Sequence, residues 1–381
     1  MTTRARDLGI PLDGTPGPLN AITDVAGVEV GYTTIEIGDG ARVVGEGPIR
    51  TGVTAILPRG RNGVGVPCAA ATFALNGNGE MTGRTWIDES GSLQTPIAIT
   101  NTHSVGAAHS GVLEWMNTHR PETLVQWATP VVGETWDGYL NDINGQHVRP
   151  EHALAALDDA RSGAIAEGNV GGGTGMNCFG FKGGTGTSSR VVTFSDSAKY
   201  TVGTLVQANH GTRAELNVHG VALGKQSAAP SPIFETDWLA TDRGNVRVPG
   251  GAGSIIVVLA TDAPLLPTQL QAMLRRVPLG LARNGTAGSH FSGDIFIGFS
   301  TANAGALASQ FPHQSLSSDQ LDTMSFVPWG YMDDLYTAVV EATEEAVLNA
   351  LVAARDMTGR DGHTSFALPH DEVRAAFAKR S

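Results

Sequence analysis

Positive charge is scarce in this chain. Its 381 residues carry 25 Lys and Arg against 37 Asp and Glu, a formal net charge of −12, and no stretch gathers basic side chains into a stripe. A surface of that kind does not neutralise phosphates, so nucleic acid is excluded as a partner and small molecules are expected instead. Charge of either sign is sparse, at 16% of residues against 41% hydrophobic, which excludes a disordered solvating chain and favours a large buried interior. Cysteine is nearly absent. The two that occur, Cys68 and Cys178, lie among small and apolar residues, as buried reduced thiols do, and no disulfide framework or Cys/His metal cluster is built from them.

Long apolar runs are missing as well. The longest clear one, SIIVVLA from residue 254, is far below the about 20 residues a membrane helix needs, and the opening MTTRARDLGIPLDG has no secretory apolar segment. The expectation is a soluble cytoplasmic protein. EGNVGGGTGMNCFGFKGGTGTSSR (167–190) is glycine-rich, yet no Gly-Lys-Ser/Thr closes a P-loop, and Cys178 stands where a dinucleotide fingerprint has its third glycine. Close backbone packing or a tight hairpin accounts for it better. His103 and His109 are six residues apart, off the i, i+4 spacing of helical metal ligands, and no HExxH occurs, so ordinary polar or capping roles are expected. No cofactor or metal is called for.

What the chain has in abundance is glycine. The 49 glycines are spread throughout and punctuate β-rich runs such as GVEVGYTTIEI, TGVTAILP, TPIAIT and RVVTF. Helical patterns cover 104–119, 150–160, 267–284 and 333–355. The last carries an apolar stripe of Leu335, Val339, Val340, Ala346, Val347 and Leu351, and its acids Asp333, Asp334, Glu341, Glu344 and Glu345 read as a solvated face. Strands and apolar-faced helices alternating in this irregular way indicate an α/β layered sandwich with no repeat and no interdomain linker. The polar, Pro- and Gly-rich segment 227–253 reads as an exposed loop.

That loop ends in VPGGAGSIIVVLATDAP (248–264), where a glycine with no Cβ to shield its carbonyl precedes a serine at the mouth of an apolar strand. The bland reading is a loose turn into a core strand; the chemical one is a bond the chain cuts itself to expose a new N-terminal nucleophile. A second strand, DIFIGF, is entered through Ser292-Gly293-Asp294, placing a hydroxyl and a carboxylate at a strand end. Alone, Ser-Gly-Asp is a common turn.

With these stretches the chain resembles the DmpA-like aminopeptidases, peptidase family S58, which include the β-aminopeptidases. The resemblance runs through RARDLGIPLDGTPGPLNAITDVAGVEVGYTT, GNVGGGTGM, VQANHG, GAGSIIVVLATDAPL and SGDIFIGFSTAN to LPHDEV near the end, nearly the whole chain. It implies a four-layer αββα sandwich like that of the N-terminal nucleophile hydrolases. It also implies self-cleavage between Gly253 and Ser254 into an α subunit, 1–253, and a β subunit, 254–381, of one domain. Further implications are Ser254 as nucleophile, Ser292 and Asp294 in support, Asn209 as oxyanion donor and Glu134 as the partner of a substrate ammonium. Trp136 stands where some members have a tyrosine, leaving Tyr139 as a substitute or the indole as a narrower wall. Implied partners are small peptide or amino-acid amide substrates, with assembly as a tetramer of αβ heterodimers. Competing expectations are a non-catalytic scaffold, a metal-dependent hydrolase, and an amide hydrolase of the nylon-oligomer type; relatives of that last type begin with threonine.

Overall fold

Two stacked β-sheets with helices on both outer surfaces form the computed structural model, which describes residues 3–124, 127–239, 253–309, 311 and 315–378. The strands are β1 (Glu29–Ile37), β2 (Ile49–Leu57), β3 (Cys68–Ala74), β4 (Ser92–Leu93), β5 (Ile97–Asn101), β6 (Val131–Thr135), β7 (Gly184–Ser195), β8 (Ala198–Asn209), β9 (Gly253–Thr261) and β10 (Ser292–Ser300). The helices used below are α1 (Arg84–Ser90), α2 (Val105–His119), α3 (Pro150–Asp158), α4 (Pro267–Leu274), α5 (Val277–Arg283) and α6 (Met332–Ala353). One sheet has the order β1-β2-β5-β6 and the other β4-β3-β10-β9-β8-β7. Parallel pairing occurs where a helix makes the crossover: α2 between β5 and β6, and α4 with α5 between β9 and β10.

Three apolar layers follow from this stacking. Val30, Ile56, Ile99 and Val131 of the first sheet meet Leu205, Ile256, Val258 and Ile297 of the second. Val112, Trp115 and Leu157 of α2 and α3 cover Val53, Ala55 and Val132, and Val339, Val347 and Leu351 of α6 join Met273 and Leu281 on Val206, Val257 and Phe296. The result is the αββα sandwich. Both faces of β9 are covered, which is why its sequence is an unbroken apolar run and not an alternation.

The helix expected over 267–284 is two short ones, and of the loop expected over 227–253, residues 240–252 lie outside the described residues. Cys68 and Cys178 are buried free thiols. Glycines of the 167–190 stretch do serve backbone packing: a Cβ at Gly186 would lie 2.1 Å from the Ala346 carbonyl oxygen, so glycine lets α6 lie directly on β7.

One expectation is overturned. Glu344 and Glu345 do not belong to a solvated face. Glu345 is fully buried and bonds Arg190 at 2.7 Å, Arg6 at 2.9 Å and the Asn20 amide at 2.6 Å, while Glu344 meets Arg283 at 2.9 Å. Burial pushes the Glu345 carboxyl up, but the Arg6 hydrogen bonds and the Arg190 charge outweigh it and hold it below the usual value. The N-terminal segment and β7 are thereby pinned to α6. A Glu345→Ala variant removes the shorter of the two carboxylate contacts of buried Arg190, leaving only Glu341 at 3.4 Å, and denaturant unfolding should show a loss of about 3–5 kcal/mol. Because the folded value is depressed, this stabilisation is present above the ordinary glutamate pKa of about 4.3 and fades as pH falls through the folded value.

Candidate active site

Register brings the expected residues together. In the antiparallel β8–β9 pair Asn209 faces Ser254, and in the parallel β9–β10 pair Gly253 faces Ser292 and Ser254 faces Gly293. Ser254 therefore stands in the middle strand of three, 2% exposed. Side chains alternate along a strand, and Ile256 and Val258 point between the sheets, so Ser254 shares that face. Ile295 and Ile297 point the same way, which places Ser292 and Asp294 on the other face of the sheet from the Ser254 side chain, level with Gly253 and Ile255.

The pair is tightly held. Ser292 Oγ donates to Asp294 Oδ1 at 2.5 Å; Asn76 Nδ2 donates to Asp294 Oδ2 at 2.8 Å, and Asn76 Oδ1 accepts the Asp294 N–H at 2.6 Å. Asn76 thus fixes one acceptor and one donor position of the Ser292–Asp294 unit. Asn209 is fixed as firmly. Its Oδ1 accepts the Asn177 N–H at 2.8 Å and its Nδ2 donates to the Trp136 carbonyl at 2.9 Å, leaving the second N–H of the amide free for a further acceptor.

Asn177 belongs to a two-residue hairpin arm, Asn177–Cys178 against Phe181–Lys182. Inside the hairpin Lys182 is fully buried and gives its ammonium to the carbonyls of Met176 and Gly183, both at 2.8 Å, and of Gly173 at 3.3 Å. Burial lowers the Lys182 pKa to about 7. The lysine staples the glycine-rich segment that holds Asn209.

Glu134 stands one residue from the end of β6, on the strand face it shares with Val132, 2% exposed. Its Oε1 accepts the Glu80 N–H at 2.9 Å and its Oε2 accepts the Thr102 hydroxyl. Burial raises its pKa, with those two hydrogen bonds opposing. A Cβ on Gly79 would lie 3.1 Å from Glu134 Oε1 and 2.9 Å from Gly293 Cα, so two glycines separate the carboxylate from the strand end at Ser254. Their backbones pack directly on one another because neither residue has a side chain: a Cβ on Gly293 would lie 2.7 Å from Gly79 Cα. Gly253 is equally constrained, since its Cβ would fall 2.1 Å from the Asn209 carbonyl oxygen.

Tyr139 and Trp136 share one aromatic cluster. The Tyr139 hydroxyl donates to the Thr364 carbonyl at 3.4 Å, and its ring stacks on His363 and meets Trp238. Trp136 is half-buried, stacked 6.0 Å from Trp238, and serves Asn209 through its backbone. His103 closes a turn, its N–H donating to Asn101 Oδ1. Asn76, Glu80, Thr102, Asn177 and Lys182 are site-building residues that sequence reasoning missed; the asparagine in ALNGNGE carries only the signal of a turn.

A strand-borne serine at the centre of an αββα sandwich is the architecture of the N-terminal nucleophile hydrolases. The model of peptidase family S58 matches residues 20–365. The β-peptidyl aminopeptidase BapA of Sphingosinicella microcystinivorans is 50% identical over 379 residues, 99% of this chain and 92% of that protein. Among solved structures, a Burkholderia sp. β-aminopeptidase superposes with a TM-score of 0.87 at 43% identity, covering 99% of both chains. The L-aminopeptidase D-Ala-esterase/amidase of Ochrobactrum anthropi, described as a prototype of the serine aminopeptidases and a variant of the Ntn hydrolase fold, gives 0.86 at 44% identity over 99% of this chain and 98% of its own. The chain belongs to peptidase family S58, and it is a hydrolase of the aminopeptidase type.

Removing both Asn76 contacts tests how far the Ser292–Asp294 pair depends on its support. Asn76→Ala should lower kcat/KM by about ten- to a hundredfold in steady-state assays, chiefly through kcat, with the far-UV spectrum unchanged.

Proposed function

We propose that this chain cuts itself between Gly253 and Ser254 and then uses Ser254 to remove N-terminal residues from small peptides, amides or esters of L-, D- or β-amino acids. The observation that carries the reading is the register that sets Ser254 between Asn209 on one strand and Gly293, flanked by Ser292 and Asp294, on the other.

In the first reaction the Ser254 hydroxyl attacks the Gly253 carbonyl carbon, the C–N bond breaks, and the acyl group moves to oxygen while the nitrogen takes up the proton. Water then opens the ester, leaving a Gly253 carboxylate and a Ser254 that bears both hydroxyl and free amine. The amine has an ordinary pKa of about 7.7 to 8.0, so at neutral pH a useful fraction is unprotonated and can accept the proton of its own hydroxyl. Ser292 and Asp294 are on the opposite face of the sheet from the Ser254 hydroxyl, and their role in this reading is to orient the freed amine and stabilise its charged form with a hydroxyl backed by a carboxylate.

In the second reaction Glu134 receives the substrate ammonium, Ser254 attacks the adjacent carbonyl, and the free N–H of Asn209 meets the developing oxyanion, a contact of about 2.7–4 kcal/mol in comparable sites. The amine returns the proton to the leaving group, and water releases the acyl group.

Denaturing intact-mass measurement separates the two reactions. Wild type should give fragments of roughly 26 and 13 kDa, by their share of chain length, and Ser254→Ala should remain whole at 39.6 kDa. A single active wild-type chain would remove the free-amine base. Glu134→Gln should still be cut, yet show a KM raised by about ten- to a hundredfold for substrates with a free ammonium. Because burial raises the Glu134 pKa, wild-type KM should climb on the acid side at a pH above that of an ordinary glutamate.

A further inference from the structure

His210 is a buried titratable side chain that neither reaction above uses. It follows Asn209 at the end of β8 and is 2% exposed. Its ring meets Phe179 edge-on at 5.0 Å, and its Nδ1 lies 3.7 Å from the Cys178 sulfur. Cys178 and Phe179 belong to the apolar layer beneath α6, so the imidazole is on the side of the sheet that carries Ser292 and Asp294.

Two consecutive residues of the strand end grip three consecutive residues of the hairpin. The Asn177 N–H donates to Asn209 Oδ1 at 2.8 Å, the Cys178 sulfur meets His210 Nδ1, and the Phe179 N–H donates to the His210 carbonyl at 2.7 Å. The chain is strained where this stretch turns. Phe179 has a φ of 51°, in the left-handed region that a bulky side chain rarely adopts, and Gly180 follows at 68°. Such a conformation persists where its surroundings over-determine it, and His210 holds both the N–H and the ring of Phe179.

Protonation decides which atom donates to which. Burial pushes the Cys178 thiol up to about 12, so it keeps its hydrogen. Burial also holds the His210 imidazole below its ordinary value, against the charges of Asp294 and Glu215. A neutral imidazole has one N–H and one acceptor nitrogen. With Nδ1 accepting the thiol hydrogen, the proton belongs on Nε2, which is buried with no hydrogen-bond partner among the described residues. That unpaired nitrogen is a cost an apolar side chain would avoid, so the ring is retained for what Nδ1 does.

We propose that His210 is a positioning residue: a neutral imidazole that clamps residues 177–179 through Nδ1 and its carbonyl, and so aims the Asn209 amide at the developing oxyanion. This rests on the reading of Asn209 as the oxyanion donor.

A double-mutant cycle on the processed fraction of each variant, established by intact mass, tests it. His210→Leu keeps the carbonyl but loses Nδ1, and should lower kcat about tenfold with KM unchanged; Cys178→Ala should do the same. In an Asn209→Ala background neither should lower kcat further. His210→Asn, whose Oδ1 takes the place of Nδ1, should return kcat to within about threefold of wild type. In the wild-type enzyme at neutral pH, nitrogen NMR should show His210 protonated on Nε2 alone. An unchanged kcat in Asn209→Ala would overturn the oxyanion reading and this proposal together. A lowered kcat there, with His210→Leu and Cys178→Ala costing nothing or the same factor in both backgrounds, would overturn this proposal alone, because lost packing acts whatever stands at 209. So would a proton on Nδ1. Where a variant gives no processed fraction, the wild-type spectrum and the His210→Asn rescue decide.

Discussion

The main-chain register of β9 against its two neighbours is the constraint on which the site depends. Backbone hydrogen bonds, not side-chain contacts, decide that Ser254 is level with Asn209 on one side and Gly293 on the other. A slip of one residue would turn Ser254 to the helix-facing side and bring Ile255 to the inter-sheet face. The register is protected by burial on both faces, since the apolar residues from Ile255 to Ala260 fill two different core layers and fit neither if exchanged. The placement of the candidate nucleophile at the strand end is thus set by apolar packing along the strand.

Around that fixed strand the supporting groups are held by short, mutually satisfied contacts. Asn76 grips Asp294 through its side chain and its backbone nitrogen, Asn177 and Trp136 grip Asn209 through their backbones, and Lys182 braces the hairpin from which Asn177 acts. Prearranged donors of this kind need no reorganisation as charge develops. The glycines contribute by what they omit: Gly79 and Gly293 pack backbone to backbone beside Glu134, and Gly253 fits against the Asn209 carbonyl where any Cβ would collide.

The sequence made the frame legible more readily than the site. Period-3.6 patterns located α2, α3 and α6 within a few residues, and apolar runs located β2, β9 and β10, because burial on one or both faces leaves a local signature. Ser254, Ser292 and Asp294 drew notice at glycine-marked strand entries, but their roles, and Asn209 and Glu134 altogether, stood out only through the family resemblance, since each is an ordinary turn or strand-end residue by pattern. Asn76 and Thr102 remained hidden for the same reason, their partners Asp294 and Glu134 being 218 and 32 residues away. Glu345 was misread because acids on a helix are usually solvated, and nothing local announces an arginine 155 residues earlier in the chain.

The Glu345 cluster has a consequence for the order of events in the protein's life. Arg6, Asn20 and Arg190 precede residue 253, whereas Glu345 follows it, and β8 and β9 pair across the same point. A break there would leave two polypeptides sharing one sheet and one buried ionic knot, with no covalent tie. Folding of the intact chain is a first-order process; reassembly of separated pieces is second-order and depends on concentration. Scission would therefore act as a ratchet, fixing a structure that only the uncut chain can reach readily, and from then on longevity rests on how slowly the seam opens.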